Sequence, residues 1–216
     1  MTIFAVGNSH VSYFSGNNII VPSWEHIELD IIPGIRTHNL GPVIAYNFYN
    51  HHLPKVIELC RQQVKPEDFV LMVVGETDCR WHLGYQSELQ GRYICDVIYE
   101  CFHRYFNSIL VLKEMGYNVG LWGVHPSTHE GHSDNKDRPI FGTMQYRNEI
   151  TRYWNYLSKL NCELHGMPFI NIFDKLVDEV DGQIITKQDA LWDYCHQSVK
   201  NLHLAIDALK GAKVYG

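Results

Sequence analysis

The sequence predicts an α/β protein built on a doubly wound parallel sheet. Length is the first reason. The 216 residues are 45% apolar and 12% aromatic, and one core of roughly 200 to 250 residues still forms without splitting, so residues 1–216 read as a single domain. The second is a series of short apolar runs, the kind that a parallel sheet buries on both faces. The third is that helical periodicity fills the intervals, and strands alternating with helices imply right-handed crossovers.

Four apolar runs, at residues 3–7, 69–75, 118–124 and 168–173, are expected as strands. A fifth, at 26–32, alternates Ile27, Leu29 and Ile31 with Glu28 and Asp30 and is placed at an edge with one wetter face. Residues 53–64 form a weaker helix, with Pro54 in the first turn where a missing N–H does no harm. Ile94, Val97, Ile98, Cys101, Tyr105, Ile109 and Leu112 recur at threes and fours. Ile150, Tyr153, Trp154, Leu157 and Leu160 do the same, as do Val199, Leu202, Ile206 and Leu209. These stripes are read as core faces. The polar segment 125–141, HPSTHEGHSDNKDRPIF, is expected as an exposed functional or mobile excursion.

Composition excludes several classes. With 18 basic against 24 acidic residues, a formal charge of −6 and no Lys/Arg block, the chain lacks the charge that drives nucleic-acid binding. The opening MTIFAVGNSH has no basic leader, and no apolar run reaches the ~18 residues of a membrane span. A soluble, cytoplasmic protein without a membrane partner is expected. The six cysteines are scattered without a CxxC pair and read as reduced thiols.

Ligands of open parallel sheets bind beyond the carboxyl ends of the strands, and there the unusual residues gather. Gly7-Asn8-Ser9-His10 follows the first strand, His38-Asn39-Leu40-Gly41 the second, Gly75 to His82 (GETDCRWH) the third, and His125 the fourth. Asp193-Tyr194-Cys195-His196 precedes the last helix. A serine becomes nucleophilic when a neighbouring base takes its proton, and the base needs a carboxylate to fix its tautomer. Ser9, His196 and Asp193 supply those types. The three-residue spacing, on one turn leading into a helix, lets the acid reach the inner imidazole nitrogen while the outer one faces Ser9. No GxSxG elbow is present, which disfavours an ordinary α/β-hydrolase.

In these residues the sequence resembles the SGNH (GDSL-like) hydrolases, serine-dependent esterases, lipases, deacetylases and acyl transferases. Gly7-Asn8-Ser9 resembles the family's Gly-Asp-Ser block, Gly41 its isolated second-block glycine, and Asp193 to His196 its Asp-x-x-His block. The resemblance implies a three-layer α/β/α, flavodoxin-like fold with a five-stranded parallel sheet. It implies an acyl-Ser9 intermediate, with His196 as base and Asp193 as its partner. It also implies an oxyanion site at the N–H groups of Ser9 and Gly41. The family's third oxyanion donor is an Asn in a Gly-x-Asn-Asp block, which here reads Gly75-Glu76-Thr77-Asp78, so Thr77 stands in the Asn position. Losing such a donor costs about 2.7 to 4 kcal/mol. GETDCRWH resembles a Gly-Glu-x-Asp-Cys-Arg-x-His third block of a divergent subset. That assigns Glu76, Asp78, Arg80 and His82 to a substrate-reading rim, in which Arg80 neutralises Asp78 or Glu76 or holds a substrate carboxylate or sugar hydroxyl, the alternative being a structural strut with Asp78; His125, beside Pro126 at the fourth strand end, is read as a substrate-pocket wall.

The activity implied is removal of a small O-acyl group from a carbohydrate or metabolite, without metal or organic cofactor. An O-acyltransferase shares the first half-reaction. A weakened glycan- or nucleotide-binding protein, and a surface-glycan processing accessory that needs a partner domain, are the alternatives. His125, His129 and His132 with Asp134 carry metal-like spacing, but Pro126 and Gly131 argue for a loop, where spacing has little geometric meaning. Cys195 is read as packing, and Trp81, Tyr85 and Trp122 as core or pocket lining. Asn8 is expected to hold the turn before Ser9 by its side chain.

Overall fold

Alternation along each strand builds the two cores of the molecule. In β1 (Ile3–Gly7) every residue is buried. Phe4 and Val6 join one apolar cluster, whereas Ile3 and Ala5 join another on the opposite face of the sheet. The computed structural model describes residues 1–23, 32–129 and 139–216, and the backbone of 26–28. After β1 come β2 (His26–Glu28), β3 (Ile35–Asn39), α1 (Phe48–His51), α2 (Leu53–Gln63), β4 (Phe69–Val73), α3 (Leu83–Gln90) and α4 (Ile94–Glu114). β5 (Asn118–Trp122), α5 (Met144–Leu164), β6 (Phe169–Ile170), β7 (Val177–Val180), β8 (Gln183–Thr186) and α6 (Leu202–Gly211) complete the order.

The sheet runs β2-β3-β1-β4-β5-β6. The five strands from β3 to β6 are parallel, and β2 is antiparallel at the edge. α2, α4 and α5 cover one face through Val56, Phe102, Ile109 and Trp154. The other face carries α6 and the turn after β1, through Ala205, Leu209, Tyr13 and Phe14. The order reverses at β1, whose neighbours are β3 and β4, so the carboxyl end of β1 is a switch point where ligands bind.

Several expectations need correction. β3, Ile-Arg-Thr-His-Asn, carries no apolar run because its polar residues lie beneath loops, so His38 and Asn39 belong to a strand and not to a loop after one. The strand expected at 26–32 is antiparallel and is described only over 26–28; the alternation through Leu29, Asp30 and Ile31 lies outside the described residues. The hairpin β7–β8 turns on Asp181 and Gly182, both at positive φ, the geometry that Asp-Gly between strands favours. Leu160 is 49% exposed and outside the core. The expected excursion begins buried: α5 holds its first residues, with Asn155 bonded to both backbone groups of Val124. Asn148 and Arg147 bind Ser127, and Arg147 also reaches the carbonyl of Thr128. Residues 130–138 lie outside the described residues.

Candidate active site

The site starts from a contact that only glycine allows. β1 and β4 approach so closely at Gly7 that a Cβ there would lie 1.8 Å from the carbonyl oxygen of Val73. The strand ends, and Asn8 caps a 3-10 turn over Ser9–Ser15 by accepting the N–H of His10 at 3.2 Å, as expected of this amide. Ser9 is the first residue of that turn, so the turn itself does not use its N–H.

Asp193 and His196 arrive from the far end of the chain. Their spacing is not that of a helical turn, as the sequence suggested. They sit in a loop closed by the Leu191–Gln197 bridge and by Trp192 N–H to the His196 carbonyl at 3.0 Å. Asp193 Oδ1 accepts the N–H groups of Cys195 and His196 at 2.9 and 2.7 Å. This leaves Oδ2 for His196 Nδ1 at 2.8 Å, and His196 Nε2 reaches Ser9 Oγ at 2.8 Å. Burial works against the Asp193 carboxylate, yet the His196 ring and the two N–H groups hold it well below the usual carboxylate range. Hydroxyl, imidazole and carboxylate thus form one hydrogen-bonded line, an arrangement able to move a proton off the hydroxyl.

A cavity of about 520 Å³ opens over this line, and Ser9, His196, Gly41, Thr77, Arg80 and His82 are in its wall. Gly41, at φ +82, donates its N–H to Asn39 Oδ1 at 2.9 Å, so the second expected oxyanion donor is engaged. Thr77 Oγ1 lies 3.5 Å from Glu76 Oε2. Arg80 does not pair with Asp78. Its Nε binds Glu76 Oε1 at 2.7 Å one helical turn away, and Nη1 binds the carbonyl of Pro139.

Three residues expected to meet substrate do not face this cavity. Glu76 is buried between Arg80 and His10, which overcome the cost of its burial and hold it well below the usual range. Asp78 points the other way, accepting Ala45 N–H at 2.9 Å; it opens the π-helical turn Asp78–His82 ahead of α3, and residues two apart on a helix project to opposite sides. It borders a second cavity of about 340 Å³, which shares Ile44 and His82 with the first. His82 is pushed down by its burial and by Arg80. His125 lies behind the line, its Nε2 3.1 Å from His10 Nδ1.

His10 is the residue to which sequence reasoning gave no role. Its Nε2 meets Glu76 Oε2 at 2.8 Å, and its ring lies against that of His196 with centroids 4.8 Å apart. The donor atoms of His10, Cys195 and His196 lie within 4.8 Å of one another, but both nitrogens of each imidazole are already in hydrogen bonds, so the set does not fit a metal ion. Cys195 is buried. Trp122 packs in the core against Phe14, and Trp81 and Tyr85 stack on each other. Of the histidines with metal-like spacing, His132 lies outside the described residues, as does Asp134.

This fold is that of the GDSL-like lipolytic proteins. Solved structures with the same architecture include a GDSL-like lipase from Bacteroides thetaiotaomicron, with TM-score 0.62 and 14% identity, covering 98% of this chain and 86% of that one. A member of the lipolytic G-D-S-L family from Veillonella parvula gives TM-score 0.56 at 14% identity, covering 98% and 97%. A catalytic mutant of an acetylxylan esterase from Geobacillus stearothermophilus gives 0.55 at 12%, covering 100% and 94%. The chain matches no protein-family profile and no curated protein by sequence. Among the described residues, no helix is long and apolar enough to cross a membrane.

Proposed function

We propose that the protein is a serine acyl hydrolase of the SGNH type that removes a small O-acyl group from a carbohydrate or small metabolite. The Ser9–His196–Asp193 line carries this reading. Ser9 Oγ adds to the ester carbonyl while His196 Nε2 takes its proton, and Asp193 stabilises the imidazolium. The proton then passes to the departing alcohol oxygen, leaving acyl-Ser9. Water adds to that ester, giving a proton to His196, and the carboxylic acid and free Ser9 are released as the proton returns.

The developing oxyanion is met by the Ser9 N–H, by the Thr77 hydroxyl and by Arg80. The Arg80 side chain lines the cavity, and its Nη2 has no hydrogen-bond partner among the described residues. Gly41 contributes once Asn39 releases its N–H. The adjoining cavity supports a polar alcohol portion, since Gln86, Arg92 and Glu100 line it. Acetylxylan esterases among the proteins of this fold favour an acetyl group on a sugar.

A second reading, a slow or inactive relative that binds a glycan or nucleotide, is favoured by one observation: Thr77 replaces an amide donor and the Gly41 N–H is occupied. A fluorophosphonate probe with peptide mapping separates the two. Labelling of Ser9 that disappears in Ser9→Ala and His196→Ala supports the hydrolase, and a folded protein that stays unlabelled supports the binder. Acetylated sugars screened against long-chain nitrophenyl esters then test the substrate class.

A further inference from the structure

Behind the Ser9–His196–Asp193 line runs a chain of buried polar side chains that the proposed reaction leaves unused. His125 Nδ1 lies 3.0 Å from the carbonyl oxygen of Pro126, and His125 Nε2 lies 3.1 Å from His10 Nδ1. His10 Nε2 lies 2.8 Å from Glu76 Oε2, and Glu76 Oε1 accepts from Arg80 Nε at 2.7 Å. His10, Glu76 and His125 are each 7% exposed or less, and they tie together the segments that leave β1, β4 and β5.

The hydrogens along this chain can be counted. A carbonyl only accepts, so His125 Nδ1 carries one. The contact between the two imidazoles needs a second, and the contact between His10 and the carboxylate needs a third. Two neutral imidazoles bring only two N–H groups. With two, one of the three contacts sets lone pair against lone pair in a buried site, where an unmade hydrogen bond is most costly.

We propose that His125, His10 and Glu76 together hold one proton beyond those of two neutral imidazoles and a carboxylate. We further propose that this strut positions the His196 ring. The first half stands on the geometry alone, and the second rests on the hydrolase reading. The extra proton is shared along the chain and belongs to the three groups jointly.

The groups facing His10 define the balance. From the segment after β4 come Glu76 and Arg80, from the end of β5 His125, and from the loop before α6 His196 and Cys195, with Asp193 behind them. Burial outweighs the charge and hydrogen bond of Glu76, and with His196 and His125 also opposing a proton it leaves His10 pushed down to about 4. Burial also lowers His125, with Glu76 and the Pro126 carbonyl acting the other way. Glu76 offsets only part of the burial of an imidazolium, and it is the hydrogen-bond demand of the three contacts that retains the proton. That charge lies beside the His196 ring.

Nitrogen-15 NMR of the histidine side chains in the full chain, at pH 5 to 8 without substrate, reads the count directly. The expected result is one imidazole, His10 or His125, with both nitrogens protonated at pH 7. Assignment comes from His10→Gln and His125→Gln. In His125→Gln the amide gives hydrogens to both Pro126 and His10, so the doubly protonated signal disappears. With the support of the His196 ring altered, kcat on an ester substrate falls several-fold while KM is unchanged.

Two singly protonated rings at pH 7 overturn the proposal, and an unchanged kcat overturns its second half. The wild-type spectrum decides the count even if the variants fail to fold. Because it needs no turnover, a doubly protonated ring in a protein whose Ser9 resists labelling leaves the strut standing and removes the hydrolase.

Discussion

Replacing Asp78 by Asn isolates one ionisation in the folded protein. Asp78 is 1% exposed. Its burial pushes the carboxyl up from 3.8 to about 7, against hydrogen bonds from the N–H groups of Ala45, Asp78 and Tyr46, with nearby Glu76 adding to the rise. The folded state therefore keeps its proton over a range where the unfolded chain has released it, so stability falls as pH rises from about 4 to about 7. At about 1.36 kcal/mol per pH unit, the loss is about 2 kcal/mol at pH 5 and about 4 kcal/mol at pH 8. An Asn at this position does not ionise, and its carbonyl oxygen still accepts the Ala45 N–H. Its stability relative to wild type should improve by about 2 to 3 kcal/mol between pH 5 and pH 8. Asp193 and Glu76, both held below their ordinary range, slope the opposite way but cancel between the two proteins. Urea unfolding followed by tryptophan fluorescence at pH 5, 6, 7 and 8 measures the difference. A gap constant across pH, whatever its size, refutes the ionisation argument and reduces the substitution to packing.

Other perturbations follow from the same geometry. Ser9→Ala should leave stability within about 1 kcal/mol by thermal melting while abolishing probe labelling. Asp193→Asn should keep the fold by circular dichroism yet lower kcat on an ester substrate by about 10³- to 10⁴-fold, because the imidazole loses its charge partner and its tautomer. Glu76→Gln leaves Arg80 and the His10–His125 pair without their counterion and should cost about 3 to 5 kcal/mol in chemical denaturation. Gly7→Ala drives a methyl into the Val73 carbonyl and should cost about 4 kcal/mol or more, seen as loss of folded protein in expression and melting.

Most of the sheet was legible because a buried parallel strand announces itself as an uninterrupted apolar run, as in Phe69–Val73 and Ile3–Gly7. β3 escaped for the converse reason. Thr37, His38 and Asn39 are buried polar residues, and Asn39 spends its side chain on the Val21 carbonyl and the Gly41 N–H, so its strand lacks the apolar signature. The Asp181-Gly182 turn carried a readable signal that was not used. The π-helical turn at Asp78–His82 carried none, and Asp78 and Arg80, two residues apart on this helical stretch, face different cavities.

Ser9, Asp193 and His196 could be singled out because each occurs at a chain position where a strand end or the start of the last helix restricts where it can go. His10 offered no such handle. Beside a serine after a strand, an imidazole is indistinguishable from packing until the partners of both its nitrogens are known, and those partners, Glu76 and His125, come from two other strand ends. Residues matched to a motif one at a time gave Glu76 and His125 to the substrate. Their shared contact with His10 turns them inward, and it leaves Arg80 and His82 as the rim side chains that a substrate can meet.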